Sequence, residues 1–177
     1  LAVKLLFLVG LGALALVLLA SIGAGSHESD AVADPWRPEV DWSQIPAGEY
    51  RALQWPDGRE IWIYRRQAGE VARLENRPAT ELHDPDSRHS RQPVGLKPAW
   101  RSRHPDVFVF HPYETRRGCR VSLAPDKREF VDVCHGARFD SAGRLLGETG
   151  VAQQQNLIVP DYELIGEQRL RLLPPGA

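Results

Sequence analysis

Side chains that could support metal or redox chemistry are concentrated in residues 114–140, which contain both cysteines of the chain. Cys119 and Cys134 enclose a loop of about 15 residues, and His135 directly follows the second cysteine. These three donors do not complete the four-ligand set of a structural zinc site. A c-type haem motif would need a cysteine where Val131 stands. The pattern favours a disulfide beside a lone histidine, with two reduced, buried thiols as the alternative.

Several segments in this stretch and around it follow the order of one known family. Residues 134–140, 142–144 and 156–162 resemble the second half of a Rieske iron–sulfur protein of the cytochrome bc type. Upstream, residues 46–48, 55–66, 82–87, 92–93 and 101–102 resemble the first strands of that family and the stretch before its cluster. The resemblance covers nearly the whole chain.

The resemblance assigns a role to each position of two loops. In the family, two cysteines and two histidines hold a [2Fe–2S] cluster. They lie in Cys-Thr-His-Leu-Gly-Cys and Cys-Pro-Cys-His-Gly-Ser loops, whose last cysteines form a disulfide. Residues 114–119 and 132–137 correspond to these loops, and Cys119 and Cys134 take the disulfide places. The four ligand places hold Glu114, Arg116, Asp132 and His135.

Three of the four ligand places therefore carry residues that cannot serve a Rieske cluster. Arginine has no lone pair to offer, and iron–sulfur clusters are held by soft thiolates rather than carboxylates. We expect no [2Fe–2S] cluster, no other metal and no electron transfer. We also hypothesise that Glu114 and Asp132 form ion pairs with Arg116 and Arg117. The lid position, residues 150–157, lacks both family prolines and has one extra residue, which agrees with an empty site.

The elements that must position these loops are predicted to be strands. Residues 59–65 alternate, with Ile61 and Ile63 on one face, after a turn signal at 56–58. Further strands are predicted at 107–110, 130–133, 157–159, 162–165 and 170–172, and one short helix from Glu70 to Leu74, extending at most to Asn76. The fold class is all-β. The resemblance implies an antiparallel β-sandwich head, with a small disulfide-linked subdomain at about 105–155.

The N-terminus predicts an anchor. Residues 5–25 carry no charge, which is long enough to cross about 30 Å of hydrocarbon as a helix. Lys4 precedes this run and acidic residues follow it, so the N-terminus is expected in the cytoplasm. We expect a bacterial inner-membrane anchor (1–25), a tether (26–38) and a periplasmic domain (39–177). A cleaved signal peptide ending near 21–24 is the alternative.

Residues 77–105 form a long polar segment with no predicted strand. Such segments are usually functional or disordered, and here an irregular surface excursion held by the core is favoured over a docking surface. His83, His89 and His104 lie in it without the spacing of a metal site.

Composition allows one domain with one core, since 177 residues include 42% hydrophobic ones. A net charge of −1 does not favour nucleic-acid binding. No catalytic constellation is present, so no enzyme is expected. Taken with the missing ligands, the Rieske resemblance implies a non-catalytic accessory subunit of a cytochrome bc complex or terminal oxidase as the favoured function. Its partners would be integral membrane subunits and a cytochrome c-type protein. The alternative is a redox or metal protein with an altered centre at His135.

Overall fold

The computed structural model describes residues 34–124, 128–147, 149 and 153–175 of the chain. The predicted anchor and the tether up to residue 33 lie outside these residues. Within the described part, no helix has the length and apolar character needed to cross a bilayer. The last residues of the predicted tether lie against the domain, since Trp36 packs on the core and the carbonyl of Pro38 accepts a hydrogen bond from Leu172.

The described chain is mostly β, as predicted. Its strands are β1 (Glu39–Asp41), β2 (Tyr50–Gln54), β3 (Glu60–Arg65), β4 (Val107–Phe110), β5 (Val121–Ala124), β6 (Glu129–Asp132), β7 (Arg138–Phe139), β8 (Tyr162–Leu164) and β9 (Arg169–Leu172). The helix α1 spans Glu70–Glu75, and short 3₁₀ helices span Trp42–Gln44 and Ala79–Glu81. Apart from the segment at 157–159, the predicted strands and the predicted helix are confirmed to within a residue or two.

The strands form three antiparallel, three-stranded sheets in the described part of the chain. Their strand orders are β1-β9-β8, β2-β3-β4 and β5-β6-β7. The third sheet carries the two cysteine loops at its end, because β5 follows the first loop and β6 leads into the second. The predicted subdomain at about 105–155 stays a prediction, since residues 34–177 form one compact unit.

Aromatic side chains connect the second sheet to the third. Tyr64 and Phe108 are cross-strand partners in β3 and β4, and both are fully buried. The ring of Phe130, from β6, lies 4.6 Å from that of Phe110 and 5.4 Å from that of Tyr64. Such aromatic contacts add about 1 kcal/mol each beyond the buried area. The cysteine-loop sheet is therefore fixed to the main core.

Residues 157–159 were predicted to form a strand, and this prediction is wrong. Each backbone bond of the segment goes to a different part of the chain. Leu157 donates to Gly143, Ile158 accepts from His111, and Val159 donates to Arg91. Among the residues that the structure describes, no single segment runs alongside 157–159, so the apolar run is buried without forming a ladder.

The long segment 77–105 is attached to the core by buried polar side chains. Arg101 is fully buried and donates to the carbonyls of Ala142, Gly143 and Leu157 at 3.1, 3.1 and 2.7 Å. The carboxylate of Asp84 accepts from the backbone of Arg88 and His89 and from the hydroxyl of Ser90. These bonds support the interpretation of an irregular excursion held by the core.

Candidate functional site

The predicted disulfide between Cys119 and Cys134 is confirmed, with an S–S distance of 2.13 Å and a Cα–Cα distance of 6.1 Å. It connects the loop before β5 to the loop after β6. The loops are also joined by the backbone, since the N–H of Val133 donates to the carbonyl of Arg120 at 3.3 Å. The two loops therefore form one rigid tip.

Glu114 organises the first loop. Its side chain is buried, and its carboxylate accepts the backbone N–H groups of Arg116 at 2.8 Å, of Arg117, and of Cys119 at 3.3 Å. Its own N–H donates to the carbonyl of Cys119 at 2.8 Å, which closes the loop. Gly118 adopts a φ of 71° within this turn, a conformation that favours glycine.

Asp132 has the same role in the second loop. It is 1% exposed, and its Oδ1 accepts the backbone N–H of Cys134 at 2.8 Å. Its Oδ2 lies 3.1 Å from Nδ1 of His135. The opposite ring nitrogen, Nε2, lies 2.9 Å from a guanidinium nitrogen of Arg117. Because arginine can only donate, Nε2 must accept, and Nδ1 then carries the proton that is donated to Asp132.

The predicted ion pairs between the two acids and the two arginines are not formed, so that hypothesis is wrong. Among the described residues, Arg116 reaches Glu114 only through its backbone N–H, and the side chain of Arg117 contacts His135. The physical reason is distance in sequence. A carboxylate two or three residues before an N–H group can bond it within one turn, at no cost in ordering a long side chain.

A third loop covers the first one, and its contacts were not predicted. Gln154 is 1% exposed and donates from its amide to Oε2 of Glu114 at 3.2 Å. The backbone N–H of Gln155 donates to the hydroxyl of Thr115 at 2.8 Å. The sequence predicted an altered lid at residues 150–157, but it could not predict which glutamine is buried. Thus the described part of the predicted lid position contacts the carboxylate of Glu114.

A cleft of about 300 Å³ opens beside the first loop, and His111 and Tyr113 line it. Nδ1 of His111 lies 3.0 Å from the carbonyl of Glu60, and the hydroxyl of Tyr113 donates to the Glu60 carboxylate at 3.1 Å. Burial lowers the pKa of His111, although the hydrogen bond to the carbonyl opposes this. Burial alone would raise the pKa of Glu60, but bonds from Trp62, Arg120 and Tyr113 outweigh it and lower that pKa.

Only one group of three or more possible metal donors comes together in the described part of the chain: Cys119, Asp132, Cys134 and His135. Both sulfurs belong to the disulfide, so neither is a thiolate. The other two predicted ligand places hold Glu114, which is engaged by backbone N–H groups, and Arg116, which is exposed. This donor set does not fit a cluster that needs two thiolates and two imidazoles.

Several known proteins are similar to this chain over most of its length. The ubiquinol-cytochrome c reductase iron-sulfur subunit of Allochromatium vinosum is 31% identical over 74% of this chain and 70% of its own length. The subunit of the same name from Bradyrhizobium diazoefficiens is 27% identical over 76% and 70%. The mitochondrial Rieske subunit of the cytochrome b-c1 complex of Neurospora crassa is 29% identical over 75% of this chain and 52% of its own length.

No family model matches the chain. Among solved structures, the plasma membrane Rieske protein of the cyanobacterium Synechocystis is similar at a TM-score of 0.40 and 15% identity, over 70% of this chain and 84% of that one.

Fold and site together define a mostly β domain with two loops joined by a disulfide. The similarity to the Allochromatium subunit identifies the protein family. The chain belongs to the Rieske iron–sulfur protein family, and its relatives are subunits of cytochrome bc1 complexes.

Proposed function

We propose that this chain is a cluster-less Rieske-like accessory subunit of a membrane respiratory complex, either a cytochrome bc complex or a terminal oxidase. In this proposal it acts in assembly, stability or docking and not in electron transfer. Its domain lies on the periplasmic side of a bacterial inner membrane. The observation that carries the proposal is the engagement of two buried carboxylates, Glu114 and Asp132, with the backbone of their own loops.

The carboxylates replace the organising role of a cofactor. In a loop whose N–H groups point inward, some acceptor must receive them, because buried unpaired donors cost about 1–3 kcal/mol each. Glu114 receives three such groups and Asp132 receives one. The loops can therefore hold their shape without iron or sulfide. A chain whose loops are satisfied in this way has no structural need for the cluster.

The tip that results is rigid and partly apolar, as a docking element should be. Val133 is 65% exposed in the second loop, and Arg116 and Arg117 are exposed in the first loop. The disulfide and the bond between Val133 and Arg120 join the two loops that carry these side chains. A pre-ordered surface loses little entropy on binding, so this tip is suited to contact with another subunit.

Metal and sulfide analysis of the purified full-length protein tests the missing cluster. The expected result is less than one-tenth of an iron atom per chain, no acid-labile sulfide and no rhombic resonance after reduction. The Allochromatium subunit, prepared in parallel, is the positive control, because its name identifies it as an iron-sulfur subunit. Two irons with two sulfides per chain would overturn the proposal.

Co-purification tests the partner. After extraction in mild detergent, the tagged full-length chain is expected to bring down the membrane subunits of one respiratory complex. Exchanging Arg116 and Arg117 for glutamate should reduce this recovery, whereas the same exchange at the exposed Arg51, in β2, should not. Equal recovery from both variants would mean that the tip does not dock.

A metal centre at His135 is the second candidate, supported by the closeness of the four donors described above. With the disulfide closed, only Asp132 and His135 can bind a metal, which is too few for a tight site. This candidate therefore depends on the state of the two sulfurs.

A further inference from the structure

We propose that reduction of the disulfide creates a zinc site with Cys119, Cys134, Asp132 and His135 as its ligands. The inference goes beyond the accessory function and does not depend on it. Two thiolates, an imidazole and a carboxylate suit Zn²⁺, which takes four N, O and S donors in a tetrahedron. A hard cation such as Mg²⁺ is not expected to bind, because it prefers oxygen ligands.

The donor atoms are already near their required positions. One donor atom from each of the four residues lies within 4.8 Å of the others. Oδ2 of Asp132 and Nδ1 of His135 are 3.1 Å apart. Around a tetrahedral zinc with bonds of about 2.0–2.1 Å, an N···O edge measures about 3.3 Å. These two ligands can therefore bind one ion after a shift of a few tenths of an ångström.

The sulfurs must move apart, and the fold limits how far they move. Bonds of about 2.3 Å to zinc place two thiolates about 3.8 Å apart. The Cα atoms, at 6.1 Å, lie on loops that stay joined when the S–S bond opens. Val121 and Asp132 remain paired between β5 and β6, and Val133 remains bonded to Arg120. Reduction thus separates the sulfurs without releasing the loops.

Asp132 is also oriented for this role. Its Oδ1 accepts the N–H of Cys134 at 2.8 Å, which turns Oδ2 towards His135. A ligand held by a second hydrogen bond of this kind loses little freedom when a metal binds.

Zinc binding follows reduction of the disulfide between Cys119 and Cys134. A dithiol reductant supplies two electrons and two protons to the S–S bond and is itself oxidised to a disulfide. Zn²⁺ then displaces the two thiol protons into solvent. On His135 the proton leaves Nδ1, which binds the metal, and Nε2 becomes protonated.

Arg117 opposes this change. Its guanidinium now donates to Nε2 of His135, at 2.9 Å. Once Nε2 carries a proton, two donors face each other, so the exposed Arg117 must turn into solvent. Arg117→Ala is therefore expected to strengthen zinc binding several-fold, a result that a random pair of thiols would not give.

The test is zinc and cobalt binding by the full-length protein, before and after treatment with a dithiol reductant. The reduced protein should bind one Zn²⁺ in competition with a chromophoric chelator. Its Co²⁺ form should show thiolate-to-cobalt charge-transfer absorption and the d–d bands of a tetrahedral site. The oxidised protein should bind at least a hundredfold more weakly.

Variants separate this site from binding by any two thiols. Cys134→Ser, Asp132→Asn and His135→Ala should each weaken binding at least about tenfold, as expected for removal of a ligand. The exposed His89→Ala and Asp86→Asn are matched controls that should bind like the unmodified chain.

Three results would overturn the proposal. They are no binding after reduction, equal binding by the oxidised form, or an affinity unaffected by Asp132→Asn and His135→Ala. The last result also covers the case in which the reduced chain unfolds, because an unfolded chain would use its cysteines without Asp132. Iron and sulfide content does not enter this test, so its failure is distinct from failure of the accessory function.

Discussion

The carboxylate of Glu114 accepts the backbone N–H of Arg116 at 2.8 Å, while the charged side chain of Arg116 takes no part in the contact. Both residues lie at positions that the sequence resemblance predicts to correspond to ligand places of the Rieske family. Glu114 contributes to local structure and Arg116 to the surface. The two nearby positions therefore have different roles: Glu114 orders the loop, and Arg116 places a positive charge at the surface.

Replacing Glu114 with alanine is expected to lower the free energy of unfolding by about 3 kcal/mol. The backbone N–H groups of Arg116, Arg117 and Cys119 lose their acceptor, and desolvated donors cost about 1–3 kcal/mol each when unpaired. Glu114→Gln keeps one acceptor oxygen and should cost roughly half as much. Urea unfolding of the oxidised protein measures both changes.

The control for this prediction is Glu49→Ala, because Glu49 is exposed. Its effect should stay within about 0.5 kcal/mol. If Glu114→Ala were no more costly than Glu49→Ala, the organising role of Glu114 would be wrong.

His135 is expected to be the Nδ1–H tautomer in the oxidised protein at neutral pH. Asp132 accepts from one ring nitrogen and Arg117 donates to the other, which fixes the proton between His135 and Asp132. Nitrogen-15 NMR of the imidazole distinguishes the two tautomers directly. Arg117→Ala should shift the population towards Nε2–H, whereas Arg116→Ala should leave it unchanged. An Nε2–H majority in the unmodified protein would contradict the geometry.

The family likeness, the disulfide and most strands could be predicted because each leaves a local signal. The alternation at 59–65 and the β-branched and aromatic run at 107–110 mark β3 and β4 directly. Both strands are buried almost throughout, so their burial does not alternate as the sequence pattern does. The disulfide could be predicted because no complete zinc or haem motif accompanies the two cysteines.

The partners of the charged side chains could not be predicted. Opposite charges in one loop indicate ion pairs, but the turn at Gly118 directs backbone N–H groups at Glu114 instead. Gln154 reaches the same carboxylate from a loop 40 positions further along the chain. Residues 157–159 have the composition of a strand, and only the tertiary arrangement shows that three different segments bond them.

Arg101 is expected to be essential for stability. It is fully buried, and its guanidinium donates to carbonyls on two distant segments, at Ala142 and Leu157. Arg101→Lys keeps the charge but cannot reach all of these acceptors at once, so it should cost at least about 2 kcal/mol. Arg101→Met leaves the carbonyls without donors and should cost about 3 kcal/mol or more. Thermal and urea unfolding measure these losses.

The exposed Arg51→Met serves as the matched control for Arg101 and should change stability by less than about 0.5 kcal/mol. If Arg101→Met unfolded with the same midpoint as Arg51→Met, the segment 77–105 would be held by other contacts.

His111 predicts how stability depends on pH. Burial lowers its pKa below the 6.5 of an exposed histidine, so the unfolded chain takes up a proton at this position at a higher pH than the folded chain does. Stability rises with pH wherever the unfolded state binds more protons. The contribution of His111 is therefore fully present above about pH 6.5 and is lost as the pH falls from there towards the folded-state pKa.

His111→Gln, which keeps an amide donor near the carbonyl of Glu60, should flatten this part of the profile. Urea unfolding between about pH 5 and pH 7.5 measures the slope, and the exposed His89→Gln should retain it. Equal slopes in the two variants would show that His111 titrates alike in the folded and unfolded states.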